Sequence, residues 1–179
     1  MTKIVEEFEL YGKQYRLETG ELAKQATGAV LVTCGATSVL VTAVVSNQER
    51  DYDFFPLTVD FIEKMYAVGR IPGGYLKREA RPSEKGTLTA RMIDRPIRPG
   101  FPDGFKNEVH VVATTFVADQ VNPPDTICVA GASAALLAGG APFDGPAACV
   151  RIGRDKETGE FIVNPTYAEQ ENSDLELTI

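Results

Sequence analysis

Apolar and polar residues alternate with a period of two through the first third of the chain, the pattern of half-buried β-strands. Residues 6–10 and 13–18 follow it, and Tyr11-Gly12 between them suits a tight antiparallel turn. Residues 29–33 and 38–45 are rich in β-branched side chains and flank Cys34-Gly35-Ala36-Thr37, a short hairpin connection. The second of these runs is almost uninterrupted in its apolarity, so it is expected at the centre of a sheet, buried on both faces. Residues 54–61 predict a further strand, with Pro56 confining it to an edge or a bulge.

Between Ala67 and Arg81 no period survives. Gly69, Pro72, Gly73 and Gly74 break regular structure and predict a loop. Pro82-Ser83-Glu84 then predicts a helix start, with Ser83 as N-cap and Glu84 in the electropositive first turn. The helix is expected to run through Asp94, where Pro96 kinks or ends it. Residues 108–116 predict a strand. Asp125 is expected to cap a small-residue helix over 126–138, closed by Gly139-Gly140. Strands follow at 147–152 and 160–163, then a short helix over 166–171 and a last strand at 175–179. A strand with no turn or cap after it predicts a domain cut short. The order of elements predicts an α+β domain over residues 1–179, a mixed sheet covered by helices.

Composition adds a constraint, then charge qualifies it. The chain has 179 residues, 44% of them hydrophobic, which is enough for a substantial core and too much for a disordered chain. A net charge of −7 argues against a uniformly basic nucleic-acid binder. The charge is unevenly placed, however. From Lys64 to Arg98 nine basic residues face only Glu79, Glu84 and Asp94, a net +6, leaving −13 for the remainder. A local cationic segment in an acidic protein predicts an anionic partner held by one patch. Cys34, Cys128 and Cys149 are too few and too far apart for a disulfide framework or a zinc site. They are expected to be free thiols in a cytoplasmic protein. The N-terminus has no signal-peptide pattern, and no run is apolar enough to predict a membrane span.

Candidate chemistry concentrates in the cationic segment. Arg91, Arg95 and Arg98 are spaced by four and three, so on a helix they form one guanidinium stripe opposite Ala90, Ile93 and Ile97. Guanidinium forks bind phosphate oxygens in bidentate fashion. The alternative is a solvated face of arginine–carboxylate pairs, for which Glu84 and Asp94 are available. Tyr75-Leu76-Lys77-Arg78 sets an aromatic ring beside two cations on a Gly-rich loop, and Arg81 follows. Rings stack on unpaired bases while neighbouring cations follow the backbone; the alternative is a loop docked on the domain surface. His110, mid-strand, is expected to be structural, and Asp51 and Asp53 read as a polar turn. No Ser-His-Asp arrangement, HExxH, Walker A or GxGxxG motif is present, so the residues define no catalytic or metal site.

Phe54-Phe55-Pro56-Leu57-Thr58-Val59, Gly69-Arg70-Ile71-Pro72-Gly73, Arg81-Pro82-Ser83-Glu84 and Ile93-Asp94-Arg95-Pro96-Ile97-Arg98-Pro99 together resemble the first core domain of the bacterial polynucleotide phosphorylases. Leu17-Glu18-Thr19-Gly20, Ala23-Lys24-Gln25-Ala26 and Gly131-Ala132-Ser133-Ala134-Ala135 match in the same order. The resemblance covers essentially the whole chain. It implies an RNase PH-like core, of the ribosomal protein S5 domain 2-like class, incomplete at its C-terminus. It also implies a 3′-to-5′ phosphorolytic exoribonuclease active in mRNA degradation, using inorganic phosphate as co-substrate and releasing nucleoside diphosphates.

In that family a second core, a helical linker and KH and OB-type RNA-binding domains accompany this one. Three copies form a ring around a channel for single-stranded RNA, and RNA-degradation partners can join it. The second core carries catalysis and Mg²⁺, so the resemblance implies no catalytic residue here and an inactive isolated chain. This domain is left to guide RNA and build the ring; a purely structural trimer-forming role, or a vestigial phosphate or nucleotide site near Arg98, are the alternatives. Tyr75-Leu76-Lys77-Arg78 aligns with the family's channel constriction, where two phenylalanines precede two basic residues; Leu76 departs from it. Arg98 matches an arginine expected to matter for phosphorolysis, and Arg91 and Arg95 are carried with it.

Overall fold

A computed structural model describes residues 2–49, 51–73, 79 and 81–179. Strands β1 (Ile4–Leu10), β2 (Lys13–Thr19), β3 (Gly28–Cys34), β4 (Thr37–Glu49), β5 (Leu57–Ile62) and β6 (Asn107–Val117) form one sheet in the order β1-β2-β3-β4-β6-β5. All neighbours are antiparallel except β5 and β6, which run parallel. Tyr11 and Gly12 both take left-handed backbone angles (φ 51° and 74°), as the two central positions of a tight hairpin turn require.

Helices α1 (Glu84–Ile97) and α2 (Asp125–Ala138) cover one face of this sheet. Under them lie Val30, Val32, Val39, Val41, Val109, Val111 and Ala113, all buried. This corrects the expectation that residues 38–45 are buried on both faces. β4 is central in strand order, but burial alternates along it and Val44 stays half-exposed. Both helices lie on the same side, so Leu40, Thr42 and Val44 face outward despite their β-branched or aliphatic character. The strand predicted at 54–61 begins only at Leu57; Pro56 precedes it, and its carbonyl accepts from the Val109 N–H.

The two helices also differ from the sequence expectation at their ends. α1 does start at Ser83, whose Oγ accepts from the Gly86 N–H at 2.9 Å. It does not end at Asp94: Pro96 is accommodated in the last turn, and the Arg98 N–H still bonds to the Asp94 carbonyl. α2 is capped at Pro124, with Asp125 as its first helical residue. It is buried almost all round, and its small residues permit a very close approach to β3 and β4.

A second sheet, in the order β8-β7-β9, is built from β7 (Arg151–Asp155), β8 (Phe161–Val163) and β9 (Ser173–Thr178), with the short helix α3 (Tyr167–Glu171) beside it. The Thr166 and Glu169 side chains form a reciprocal capping box at the start of α3. The predicted strand at 147–152 is shortened to Arg151 onward at its start. The Ala147 N–H is taken by Ser133 Oγ of α2 at 2.8 Å, which ties that segment to the helix. Arg151 and Asn164 tie the small sheet to the rest of the domain: Arg151 pairs with Asp125 at the start of α2, and Asn164 Nδ2 donates to Tyr15 Oη of β2 at 3.1 Å.

Candidate nucleic-acid interface

α1 presents the arginines. Ile93 and Ile97 are fully buried, so the helix is pinned with that side toward the core, and Arg91 and Arg95 stand exposed one turn apart. Neither has an ion-pair partner among the described residues. With Leu88, Met92, Cys149 and Ile179 they line an open groove of about 680 Å³ between α1 and the end of β9.

Arg98 departs from the stripe. Its Nε and Nη2 donate to the two carboxylate oxygens of Asp94 at 3.0 and 2.6 Å. Nη1 and Nη2 reach the carbonyls of Phe55 and Leu57 at 3.3 and 3.2 Å, and the guanidinium lies 5.8 Å from the Phe55 ring centroid. The fork that a phosphate would occupy is thus filled by the protein, which is the carboxylate-pairing alternative realised at one of three positions. The cause is local: Arg98 follows Asp94 by four residues and ends the helix against the start of β5.

Arg81 lies at the opposite end of α1, about 20 Å away for a helix of this length. It lines a cleft with Asp60, Glu63, Lys64 and Ser83. Glu79 closes one side of it, accepting from the Met65 N–H at 2.6 Å with Lys64 at 3.9 Å. Tyr75, Lys77 and Arg78 lie outside the described residues. The structure therefore splits the four described candidate arginines, Arg81, Arg91, Arg95 and Arg98, into three settings: a pair without ion-pair partners among the described residues, a neutralised fork and a cleft shared with acids.

His110 is half-exposed on the uncovered face of the sheet, where Nε2 lies 2.8 Å from Asp60 Oδ2. Cys34 and Cys128 are buried and Cys149 half-buried; all three are free, and burial pushes each thiol's pKa up, that of Cys128 well up. Although partial burial opposes its charge, the Asp119 carboxyl is held down to about 2 by Asn122, Val121 and Thr37. It accepts from the backbone N–H groups of Val121 and Asn122, both at 2.7 Å, and from Thr37 Oγ1 at 2.9 Å. The pattern Asp119-Gln120-Val121-Asn122 was open to recognition as a carboxylate-centred turn but not as a partner of Thr37, 82 residues away. Among the described residues no three His, Cys, Asp or Glu side chains are arranged to hold a metal ion. No helix among them is long and apolar enough to cross a membrane.

A mixed sheet with both helices on one face, a parallel pair at one edge and an arginine-bearing helix between those strands defines the class. Residues 12–142 match the family described as the 3′ exoribonuclease family, domain 1, and the chain belongs to that RNase PH family. Its fold is similar to a chain of the Archaeoglobus fulgidus exosome with RNA bound to the active site: TM-score 0.66 and 18% identity, over 97% of this chain and 72% of that one. It is also similar to rice Rrp46, with TM-score 0.65 and 16% identity over 92% and 78%.

At the level of sequence the similarity is to polyribonucleotide nucleotidyltransferases. That of Natranaerobius thermophilus is 56% identical over 172 residues, 96% of this chain and 24% of the relative. That of Nitratidesulfovibrio vulgaris is 57% identical over 169 residues, 94% and 22%. The chain spans about a quarter of the length of the curated relatives it matches.

Proposed function

We propose that this chain is the RNA-guiding, ring-building core of a cytoplasmic 3′-to-5′ phosphorolytic exoribonuclease. The observation that carries the reading is the pair Arg91 and Arg95, exposed, free of carboxylate partners among the described residues and beside an open groove. Such a pair neutralises successive phosphates of single-stranded RNA without reading sequence. Arg81 adds a cation at the other end of α1, and Tyr75, Lys77 and Arg78, which precede it in the sequence, belong to the same cationic segment. The similarity to polyribonucleotide nucleotidyltransferases supports a second core that supplies Mg²⁺ and inorganic phosphate chemistry, and assembly as a homotrimer open to RNA-degradation partners. Among the described residues of this chain no cluster of three or more His, Cys, Asp or Glu side chains could hold a metal ion.

Two charge-reversal pairs in the whole enzyme, Lys77→Glu/Arg78→Glu and Arg91→Glu/Arg95→Glu, test this. Each is expected to weaken retention of single-stranded RNA and to reduce the log–log salt slope by about 1.4, the loss of two phosphate contacts. Unchanged retention and slope in both would sink the reading. The closed fork of Arg98 favours a second reading, in which the arginines serve structure and subunit contacts. Under that reading high salt dissociates the ring without a matching loss of RNA affinity.

A further inference from the structure

β1 is one edge of the main sheet. It pairs with β2 along its whole length, from Ile4 opposite Thr19 to Leu10 opposite Lys13, and no strand among the described residues lies on its other side. The N–H and C=O groups that point to that side are open to a further strand. With 7 residues at about 3.3 Å each, the edge offers about 23 Å of ladder.

The two faces of β1 differ. Ile4, Glu6, Phe8 and Leu10 share the side of the sheet that the helices cover elsewhere, since Phe8 stands opposite the buried Tyr15 and stacks on it with ring centroids 5.4 Å apart. α1 packs on β5 and α2 on β3 and β4, and neither shields this strand: Ile4 is 56% exposed, Phe8 46% and Leu10 41%. The apolar core thus reaches the edge through Tyr15 and Phe8 with its last row open. Val5, Glu7 and Glu9 lie on the opposite face. Arg16 is 3.3 Å from Glu7 but is shared with Glu18 at 2.9 Å, while Glu9 accepts only from the neutral Gln14 Nε2 at 2.6 Å. That row therefore keeps a negative charge.

Soluble proteins guard free edges with lysine, proline or a bulge. β1 has none of these, and its guard is Glu6, Glu7 and Glu9. Such a guard is selective. A second copy of β1 would set carboxylates against carboxylates, and the phosphates of a nucleic acid are repelled in the same way. A strand with lysine or arginine at every second position instead finds opposite charge beside Glu7 and Glu9, while its intervening apolar side chains cover Ile4, Phe8 and Leu10. We propose that β1 is a docking edge for an extended segment of a partner protein in which apolar and basic residues alternate. The segment adds a strand to the six-stranded sheet, its main chain bonded to β1 and its apolar row extending the core beyond Phe8. β1 lies at the opposite edge of the sheet from β5, on which α1 packs, so the inference does not depend on the RNA path.

The test is fluorescence anisotropy on this chain and on the full-length protein, using a labelled peptide as long as β1 that alternates valine with lysine. Saturable binding is expected, with new hydrogen-exchange protection at alternate amides of β1. The same residues in block order, and a valine–glutamate alternation, are expected to bind about tenfold more weakly or worse. Glu7→Lys/Glu9→Lys is expected to reverse the preference, losing the lysine peptide and gaining the glutamate one, a gain that an unfolded variant could not show. N-methylation of every second peptide amide is expected to abolish binding in one of its two phases and spare it in the other, the signature of strand addition. The proposal is overturned if the block-order peptide binds as tightly, if both N-methylated peptides bind, or if the charge swap leaves the preference unchanged. It is equally overturned if the full-length protein does not bind, its own chain then covering the edge, or if β1 pairs with a second copy, seen as a dimer that the lysine peptide does not disperse.

Discussion

Arg151 Nη2 donates to Asp125 Oδ2 at 2.8 Å, with the two side chains only 11% and 5% exposed. This ion pair fastens the small sheet to the first turn of α2. Asp125 Oδ1 is also used, accepting from the Thr126 N–H at 2.8 Å. Removing the cation leaves a carboxylate buried without its partner. Arg151→Met is therefore expected to cost about 3 kcal/mol, and Arg151→Met/Asp125→Asn less than the sum of its two single changes. Urea unfolding of the four proteins checks this; additive losses would show the pair to be uncoupled.

The fork of Arg98 on Asp94 predicts a stability role separable from any nucleic-acid role. Lysine keeps the charge but cannot reach both carboxylate oxygens and the Phe55 and Leu57 carbonyls together. Arg98→Lys is expected to lose about 1–2 kcal/mol, while Arg91→Lys and Arg95→Lys stay within about 0.5 kcal/mol of the parent. Thermal melts of the three single variants give the comparison. Equal melting temperatures would mean that the Arg98 contacts add nothing.

Asp119 predicts an acid limb. Its folded carboxyl sits at about 2 against an ordinary value of 3.8, so on acidification the unfolded chain takes up the proton first. The stabilisation is complete above about pH 4 and is lost as the pH falls toward 2, amounting to about 2 kcal/mol at neutrality. Asp119→Asn is expected to be less stable by about that much at pH 7 and to converge on the parent near pH 2. Denaturant melts across this range by circular dichroism would refute the assignment if the gap did not close.

Close approach of α2 to β3 depends on glycine. A Cβ on Gly28 would stand 2.0 Å from the Ala135 carbonyl oxygen and 2.8 Å from the Gly139 nitrogen, both main-chain atoms that cannot swing aside. Gly28→Ala is expected to cost about 3 kcal/mol. Gly159 takes φ 74° but has open space around it, so Gly159→Ala should cost only about 1–2 kcal/mol of backbone strain. Similar unfolding midpoints for the two variants would contradict this account of the helix–sheet contact.

The 179-residue chain by itself is expected to release no ADP from poly(A) with phosphate and Mg²⁺. It spans about a quarter of its relatives, and the resemblance assigns catalysis to the second core. Detection of ADP above a heat-treated control would overturn this expectation.

The alternation along residues 6–18 and 29–45, the Tyr11-Gly12 turn and the Ser83 cap were legible in the sequence because each depends on neighbours a few residues away. The cationic segment was legible too, since charge is counted without coordinates. Which face of β4 is covered was not, because it depends on both helices crossing to the same side. The helical period placed Arg91, Arg95 and Arg98 together, and the spacing of Asp94 four residues before Arg98 offered a partner to that one alone. What spacing could not show is that the carbonyls of Phe55 and Leu57, more than forty residues earlier in the chain, complete the contacts of the Arg98 fork. Local periodicity and composition thus determined the elements and where their charge lies, while long-range packing decided which of those charges are spent inside the protein and which remain for a partner.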